Sequence, residues 1–315
     1  MHFQNEIEEV IPLIIKTYFV RDYPTKKLGF TGTTIHKILF KLKKELPKNE
    51  YIQEILPYYW YFHGPYCEVI SQSIEKLKSD KSLIKKDDVL FLNYEKVRKE
   101  DYDLDDEPAK KVKSILKHFN PANSSPFIEK IYKSYAPWPF IPAFKIDFLK
   151  ALVGYESNLS SGKNSLDYYS ESSVLRDALF ECETELLPHA LFDKFNTLFS
   201  SFVTDALRVF KYVKEVDNNV SLSNKILNLN KVSNMAEFSV WNTFAYGIRI
   251  IEHDEPYAGE ERKWKNEYAK RLSALSPQIR IFSADILSNV RGTLSYSFDD
   301  KSREFLSTVM RGYLS

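Results

Sequence analysis

Hydrophobic and polar positions over the first ninety residues switch between helical and strand spacing. A helical stripe comes first. The aromatic stretch 56–66 follows, and within it a strand-like run stops at Gly64. Helical spacing returns over residues 67–80, with Pro65 expected at the helix start. The segment ends at Leu83-Ile84, and a short apolar strand follows at 89–92. This order predicts an N-terminal winged helix-turn-helix with a small β-hairpin wing. The first stripe consists of Ile35, Ile38, Leu39, Leu42 and Leu46.

The rest of the chain has helical spacing almost throughout, so we predict a mainly α protein. Six acids between residues 100 and 107, and turn-forming residues at 120–126, indicate a boundary. We therefore predict a winged-helix domain over 1–100, an acidic, Pro/Ser-containing linker over 101–126, and an α-helical domain over 127–315. Further helices are predicted at 11–23, 172–187, 190–216, 232–252, 260–275, 277–290 and 305–314.

Composition excludes several classes of function. The chain has 315 residues, few glycines (9) and a net charge of +1, so its overall charge does not predict nucleic-acid binding. Cys67 and Cys182 lie far apart without a C-x-x-C pair, which excludes a zinc knuckle and favours reduced thiols. The sequence has no Walker loop and no G-x-S-x-G. We expect a cytoplasmic protein without a metal, a cofactor or a catalytic site.

A basic stretch is the clearest candidate for contact with nucleic acid. Residues 26–48 carry seven lysines against one acid, and three of the lysines share one face of the predicted helix. Such a face can follow a phosphate backbone, although it can equally be a solvated surface or be covered by the acids of 100–107. The candidate contacts are Lys37, Lys41 and Lys44 on this helix, Lys76 on the next helix, and Lys85 and Lys86 in the wing.

The predicted recognition helix at 67–79 favours a protein partner over DNA. Its exposed charges cancel, and it contains no arginine, the side chain best suited to reading guanine. The preceding aromatic strand belongs mostly to a core, but any exposed face would anchor a protein interface. The candidate partner contacts are Tyr59, Tyr61, Tyr66, Gln72 and Glu75.

A second-half motif offers a catalytic alternative. Arg249 and His253 stand four apart, on one face of a predicted helix. An Arg/His pair in a helical domain resembles the active pair of HEPN ribonucleases, although the three residues between them here are fewer than in that family. This resemblance implies a ribonuclease that uses Arg249 and His253.

Residues 28–92 resemble the prokaryotic Panacea, or SocA-like, antitoxin domain. The resemblance lies in the helix at 35–42, in Tyr-Phe-His-Gly-Pro-Tyr at 61–66, and in the helix exit at 74–84, where Ser82 replaces the family's glycine. It implies a non-catalytic adaptor of a defence or toxin–antitoxin system. The expected partner is a toxin, nuclease or ATPase from the same operon. A DNA-binding regulator and the HEPN-like ribonuclease are the alternatives.

Overall fold

The computed structural model describes residues 8, 10–12, 14, 30–46, 52–93, 107–120, 123–161, 165–215 and 222–294. The chain divides into two compact units, residues 1–137 with 245–265 and residues 138–244 with 266–315. The division differs from the predicted one because residues 107–137 and 245–265 fold with the N-terminal residues. Most of the predicted helix at 11–23, the acidic run up to residue 106 and the predicted helix at 305–314 lie outside the described residues.

The N-terminal unit has the predicted winged-helix order. A long helix, an aromatic hairpin, a second helix and the wing follow one another, so the predicted mainly α fold with a β-hairpin wing is confirmed. Its elements are β1 (Phe30–Thr31), α1 (Gly32–Glu45), α2 (Ile52–Ile55), β2 (Tyr59–Tyr61), β3 (Gly64–Tyr66), α3 (Glu68–Ser79), β4 (Leu83–Lys86), β5 (Val89–Leu92), α4 (Glu107–Leu116) and α5 (Ser125–Tyr135).

Helix α1 is the centre of the N-terminal unit. The side chain of Thr31 caps it by accepting a hydrogen bond from the Thr34 N–H at 3.1 Å. Helices α3, α4 and α5 and strand β3 all pack against it. As a result α1 is buried on more than its apolar stripe, and His36, Lys37 and Lys43 lie inside the unit.

Two antiparallel sheets flank the helices. The wing strands β4 and β5 join through Asp87 and Asp88, which both have positive φ and form a tight two-residue turn. Strand β1 pairs with the other side of β5, so the sheet order is β1-β5-β4. In the second sheet Pro65 lies in β3 opposite Trp60. The expectation that Pro65 starts a helix is therefore wrong: α3 begins at Glu68, after the strand has turned at Gly64.

A segment from late in the chain completes the β2–β3 sheet. The Trp60 N–H donates to the Glu252 carbonyl at 3.1 Å, and the Asp254 N–H donates to the Tyr58 carbonyl at 2.8 Å. A bridge between Tyr59 and His253 lies between these two bonds. Residues 252–254 thus run antiparallel to β2, which explains why 245–265 belong to the N-terminal unit.

The second unit is helical and has a core of phenylalanines. Phe140, Phe195, Phe199 and Phe244 are buried and their rings contact one another. The helices that lie in this unit or enter it are α6 (Phe140–Pro142), α7 (Leu149–Ser160), α8 (Ser165–Thr184), α9 (Asp193–Glu215), α10 (Leu222–Asn234), α11 (Asn242–Ile251) and α12 (Glu261–Leu294), with a 3-10 turn at Ala190–Phe192. A further 3-10 turn, Glu255–Glu260, belongs to the N-terminal unit.

Two π-helical segments, Ala143–Phe148 and Met235–Trp241, interrupt these helices. The segments contact each other, because the ring of Phe144 stacks on Trp241 at 5.9 Å. The Lys145 ammonium lies 4.9 Å from the Trp241 ring centre, and burial lowers the pKa of Lys145.

Helix α12 corrects another prediction. Sequence reasoning divides it at Pro277, yet the structure continues through this proline as one helix. Pro277 and Ser273 are both exposed, so the carbonyl that proline leaves without an N–H partner can bond to water. Leu275 and Ile279, which precede and follow Pro277, are both buried, so the apolar face of α12 continues past the proline. In the described part of the chain, every helix is too short or too polar to cross a membrane.

Candidate interaction site on the winged-helix unit

The wing presents an apolar face to solvent. Leu83 and Leu92 point inward and are buried, whereas Ile84 and its cross-strand partner Phe91 point outward. Ile84 is 49% exposed, which is high for an isoleucine in a sheet. We call the outward-pointing residues Ile84, Lys86, Val89 and Phe91 the outer wing face.

Ion pairs within the unit engage half of the charged residues of α3 and the wing. Gln72, Glu75 and Lys76 on α3, and Lys85 and Lys86 in the wing, are exposed as the sequence predicts. Residues 68–92 contain five lysines and five acids, so this surface has a net charge of zero. The pairs are Lys76 with Glu8 (2.6 Å), Lys78 with Glu75 (2.8 Å) and Lys85 with Asp88 (2.6 Å).

Lys37 is wrong as a candidate contact with nucleic acid. Its side chain is 1% exposed, and its ammonium donates hydrogen bonds to the carbonyls of His63 and Pro65, the latter at 3.3 Å. Burial lowers the pKa of Lys37 to about 7. A Cβ at Gly64, which has a φ of +86°, would lie 3.0 Å from the Lys37 ammonium. Glycine there permits both the turn and this close approach.

Of the other lysines of the basic stretch that the structure describes, Lys41 is engaged and Lys44 is exposed. Lys41 is half-buried and forms an ion pair with Glu45, which Lys111 contacts as well at 3.2 Å. These two lysines hold the pKa of Glu45 below its usual range, although burial raises it. Lys44 remains exposed, with its ammonium 5.4 Å from the centre of the Phe40 ring. The predicted basic face is thus mostly an internal network.

The aromatic candidates are divided between core and surface. Tyr59 is wrong as an exposed anchor because it is 5% exposed, with its ring 4.9 Å from Tyr257 and 5.0 Å from Trp264. Tyr61 and Tyr66 are half-buried. The ring of Tyr66 stacks on His36 at 4.8 Å.

His36 links α1 to the start of α3. Its Nδ1 accepts a hydrogen bond from the Cys67 N–H at 3.3 Å, so the ring proton lies on Nε2, which donates to the Ser71 hydroxyl at 3.1 Å. Burial and the neighbouring Lys37 lower the pKa of His36 to about 3. The imidazole therefore stays neutral and orients α3 with two directional bonds.

Arg249 and His253 occupy an aromatic environment. The Arg249 guanidinium lies 5.0 Å from the Tyr61 ring, 4.5 Å from Tyr246 and 5.1 Å from Trp264, and Arg249 is only 6% exposed. The His253 ring meets Trp264 edge-on at 5.6 Å. This geometry places Arg249 in a packing role within the N-terminal unit. It does not leave the guanidinium open to a substrate phosphate.

Sequence reasoning missed Asp254 and Tyr257. The Asp254 carboxylate accepts hydrogen bonds from the Lys43 ammonium and the Tyr58 N–H, both at 2.7 Å. The Tyr257 hydroxyl accepts a hydrogen bond from the Glu68 N–H at 3.2 Å and so caps the first turn of α3. Because both residues lie in a late segment with no periodic pattern, no local signal links them to the winged helix.

A shallow cleft lies in the described part of the second unit. Its charged lining residues are Asp147, Lys150, Asp177 and Glu181. No group of three or more histidine, cysteine or acidic side chains positioned to hold a metal ion occurs among the described residues. Val174 lines the cleft and is exposed, and nothing in its surroundings defines a ligand.

The chain matches no protein-family model, no curated protein and no solved structure. The resemblance of residues 28–92 to the Panacea domain therefore stays a prediction. The class that the fold defines is a mainly α protein whose N-terminal unit is a winged helix with a late-chain segment built into it.

Proposed function

We propose that this protein is a non-catalytic adaptor that binds a partner protein through its wing and the exposed side of α3. The system is a prokaryotic multi-protein defence or toxin–antitoxin system. The partner is a protein from the same operon, such as a toxin, nuclease or ATPase. Both cysteines are buried and unbridged, which suits a reducing cytoplasm.

The observation that carries the proposal is an exposed apolar face with no net charge around it. Ile84 and Phe91 lie side by side on the outer wing face. The flanking ionisable residues of 68–92 sum to zero. An apolar centre rimmed by balanced polar groups is typical of protein–protein interfaces, whereas a surface that binds DNA concentrates positive charge.

The two alternatives have less support. The DNA-binding alternative depends on a basic face of α1 and on the wing lysines Lys85 and Lys86. Of these residues, Lys37 is buried, Lys41 is bound to Glu45, and Lys85 pairs with Asp88. The ribonuclease alternative depends on Arg249, whose guanidinium is enclosed by three aromatic rings. Neither alternative explains the exposed Ile84.

Co-expression with the products of the neighbouring genes tests the proposal. The wild-type protein is expected to co-purify with one of them in a defined ratio. Ile84→Asp places a carboxylate at the centre of the outer wing face and is expected to abolish co-purification. Ile281→Asp, at a 70% exposed isoleucine of α12 in the second unit, is the matched control and is expected to retain the partner.

Three results would contradict the proposal. The first is that no product of a neighbouring gene co-purifies with the wild-type protein. The second is that Ile281→Asp loses the partner as fully as Ile84→Asp does. The third is that Ile84→Asp retains the partner fully. Tight binding of a DNA duplex that weakens steeply as salt rises would favour the regulator instead.

A further inference from the structure

Helix α3 begins without a strong cap of its own. Its N-cap residue is Cys67, whose sulfur is a weak acceptor, where serine, threonine, aspartate and asparagine are the usual caps. The first N–H groups of a helix have no partner inside it. The Cys67 N–H donates to His36 Nδ1, and the Glu68 N–H donates to the Tyr257 hydroxyl. Residues that lie far away in sequence therefore fix the start of α3.

The Tyr257 side chain is held firmly where it meets α3. Tyr257 belongs to the 3-10 turn Glu255–Glu260, and its N–H donates to the Asp254 carbonyl at 3.0 Å. Its ring is buried, edge-on to Tyr59 at 4.9 Å and 5.9 Å from the Trp264 ring. Because both the backbone and the ring are fixed, the hydroxyl offers its lone pair to the helix at a defined position.

The start of α3 matters for the proposed partner site because α3 carries part of that site. Gln72 and Glu75 are exposed about one and two turns beyond Glu68. Helix α3 also packs against β4, the strand that carries Ile84. Over so short a length a helix tilts as a rod. A shift of its first turn therefore changes the distance between these two exposed residues and the outer wing face.

We propose that Tyr257 is a positioning residue of the partner site. Its hydroxyl fixes the first turn of α3 and so holds the exposed α3 residues in the arrangement that the partner binds. This inference rests on the proposed function and adds a residue of the late segment to the partner site. Tyr257 is only 8% exposed, so it acts through α3 and does not touch the partner.

Tyr257→Phe tests the inference because it removes the hydroxyl and keeps the ring. In the full chain without a partner, hydrogen exchange at the Glu68 amide is expected to become at least about fivefold faster. The neighbouring-gene product that co-purifies with the wild type is expected to bind this variant about fivefold more weakly. A lost helix cap shifts an equilibrium by about this factor.

Tyr268→Phe is the matched control. Tyr268 is a buried tyrosine of α12 in the second unit, and its hydroxyl donates to the Leu191 carbonyl at 3.2 Å, the length of the bond between Tyr257 and Glu68. Because it also loses one hydroxyl bond, its melting temperature is expected to fall by a similar small amount. Its Glu68 exchange and its partner affinity are expected to stay at wild-type values. The comparison separates positioning from overall stability.

Cys67→Ser in the Tyr257→Phe background supplies a cap from α3 itself. The N–H groups of Val69 and Ile70 face the Cys67 sulfur, so a serine hydroxyl there occupies the usual N-cap position. The double variant is expected to recover partner affinity to within about twofold of the wild type. Recovery would show that the partner depends on the position of α3 and not on the Tyr257 hydroxyl itself.

Three results would overturn the inference. The first is that Tyr257→Phe binds the neighbouring-gene product with wild-type affinity, in which case the positioning role fails while the adaptor function stands. The second is that Tyr268→Phe loses as much affinity as Tyr257→Phe does. The third is that a folded double variant recovers no affinity. If no neighbouring-gene product binds the wild type, the adaptor function fails and the positioning role fails with it.

Discussion

The ammonium of Lys43 donates a hydrogen bond at 2.7 Å to the carboxylate of Asp254, which lies 211 residues further along the chain. The same ammonium donates to the Leu56 carbonyl at 2.7 Å. The pair thereby joins the central helix of the winged-helix unit, the start of the aromatic hairpin and the late segment 252–254. This late segment is therefore a structural part of the winged-helix unit.

Asp254→Ala is expected to destabilise the N-terminal unit. It leaves the largely buried Lys43 ammonium without its counter-charge and the Tyr58 N–H without its acceptor. Since Asp254 is itself half exposed, the loss is about 1–3 kcal/mol, below that of a fully buried pair. Urea unfolding measures the loss, and Glu75→Ala, which removes an exposed carboxylate, is the control. Equal stability of the two variants would contradict this account.

Lys37 is expected to make folding stability rise with pH above neutrality. Its folded pKa of about 7 lies below the 10.5 of an ordinary lysine, so the unfolded chain binds more protons between these values. The gain is at most about 1.4 kcal/mol per pH unit. Burial also raises the pKa of Cys67 to about 11, which opposes the gain above about pH 8.5, where an unfolded thiol ionises.

Lys37→Met tests this dependence because it keeps the buried chain and removes the charge. Urea unfolding between about pH 7 and pH 8.5 should show a steeper rise with pH for the wild type than for the variant. Parallel curves for the two proteins would show that Lys37 remains charged in its site.

His36 is expected to stay neutral, with its proton on Nε2, throughout the physiological range. Its pKa of about 3 lies below the ordinary 6.5, so acidification between these values favours the unfolded chain. Nitrogen NMR of the imidazole reports both the tautomer and the titration. A midpoint above about pH 5 would mean that the bonds to Cys67 and Ser71 do not hold the neutral ring.

Arg249→Lys is expected to lower stability although it keeps the charge. The planar guanidinium contacts three rings, and an ammonium cannot stack on them in the same way. A desolvated cation–π contact contributes on the order of 2 kcal/mol, so we expect a loss of about 1–3 kcal/mol in thermal or urea unfolding. RNA cleavage by the wild type that both this variant and His253→Ala abolish would instead support the ribonuclease alternative.

Local pattern predicted the winged-helix elements because helix and strand periods depend on neighbouring residues. The stripe from Ile35 to Leu42 predicted α1, and the predicted helix over 67–80 matches α3 at Glu68–Ser79. The wing strand at 89–92 followed from a short apolar run, and the hairpin as a whole followed from the winged-helix order. Exposed candidates such as Gln72, Glu75 and Lys86 were also predicted correctly as surface residues.

Tertiary structure decided which lysines are buried. An amphipathic pattern assigns one buried face, but α1 is surrounded by α3, α4, α5 and β3, so Lys37 and Lys43 lie inside. Their partners, the His63 carbonyl and the Asp254 carboxylate, stand far away in sequence. No period along the chain encodes such contacts. Sequence alone predicted most elements of the winged-helix unit and their order, and only long-range packing determined which charged residues remain exposed.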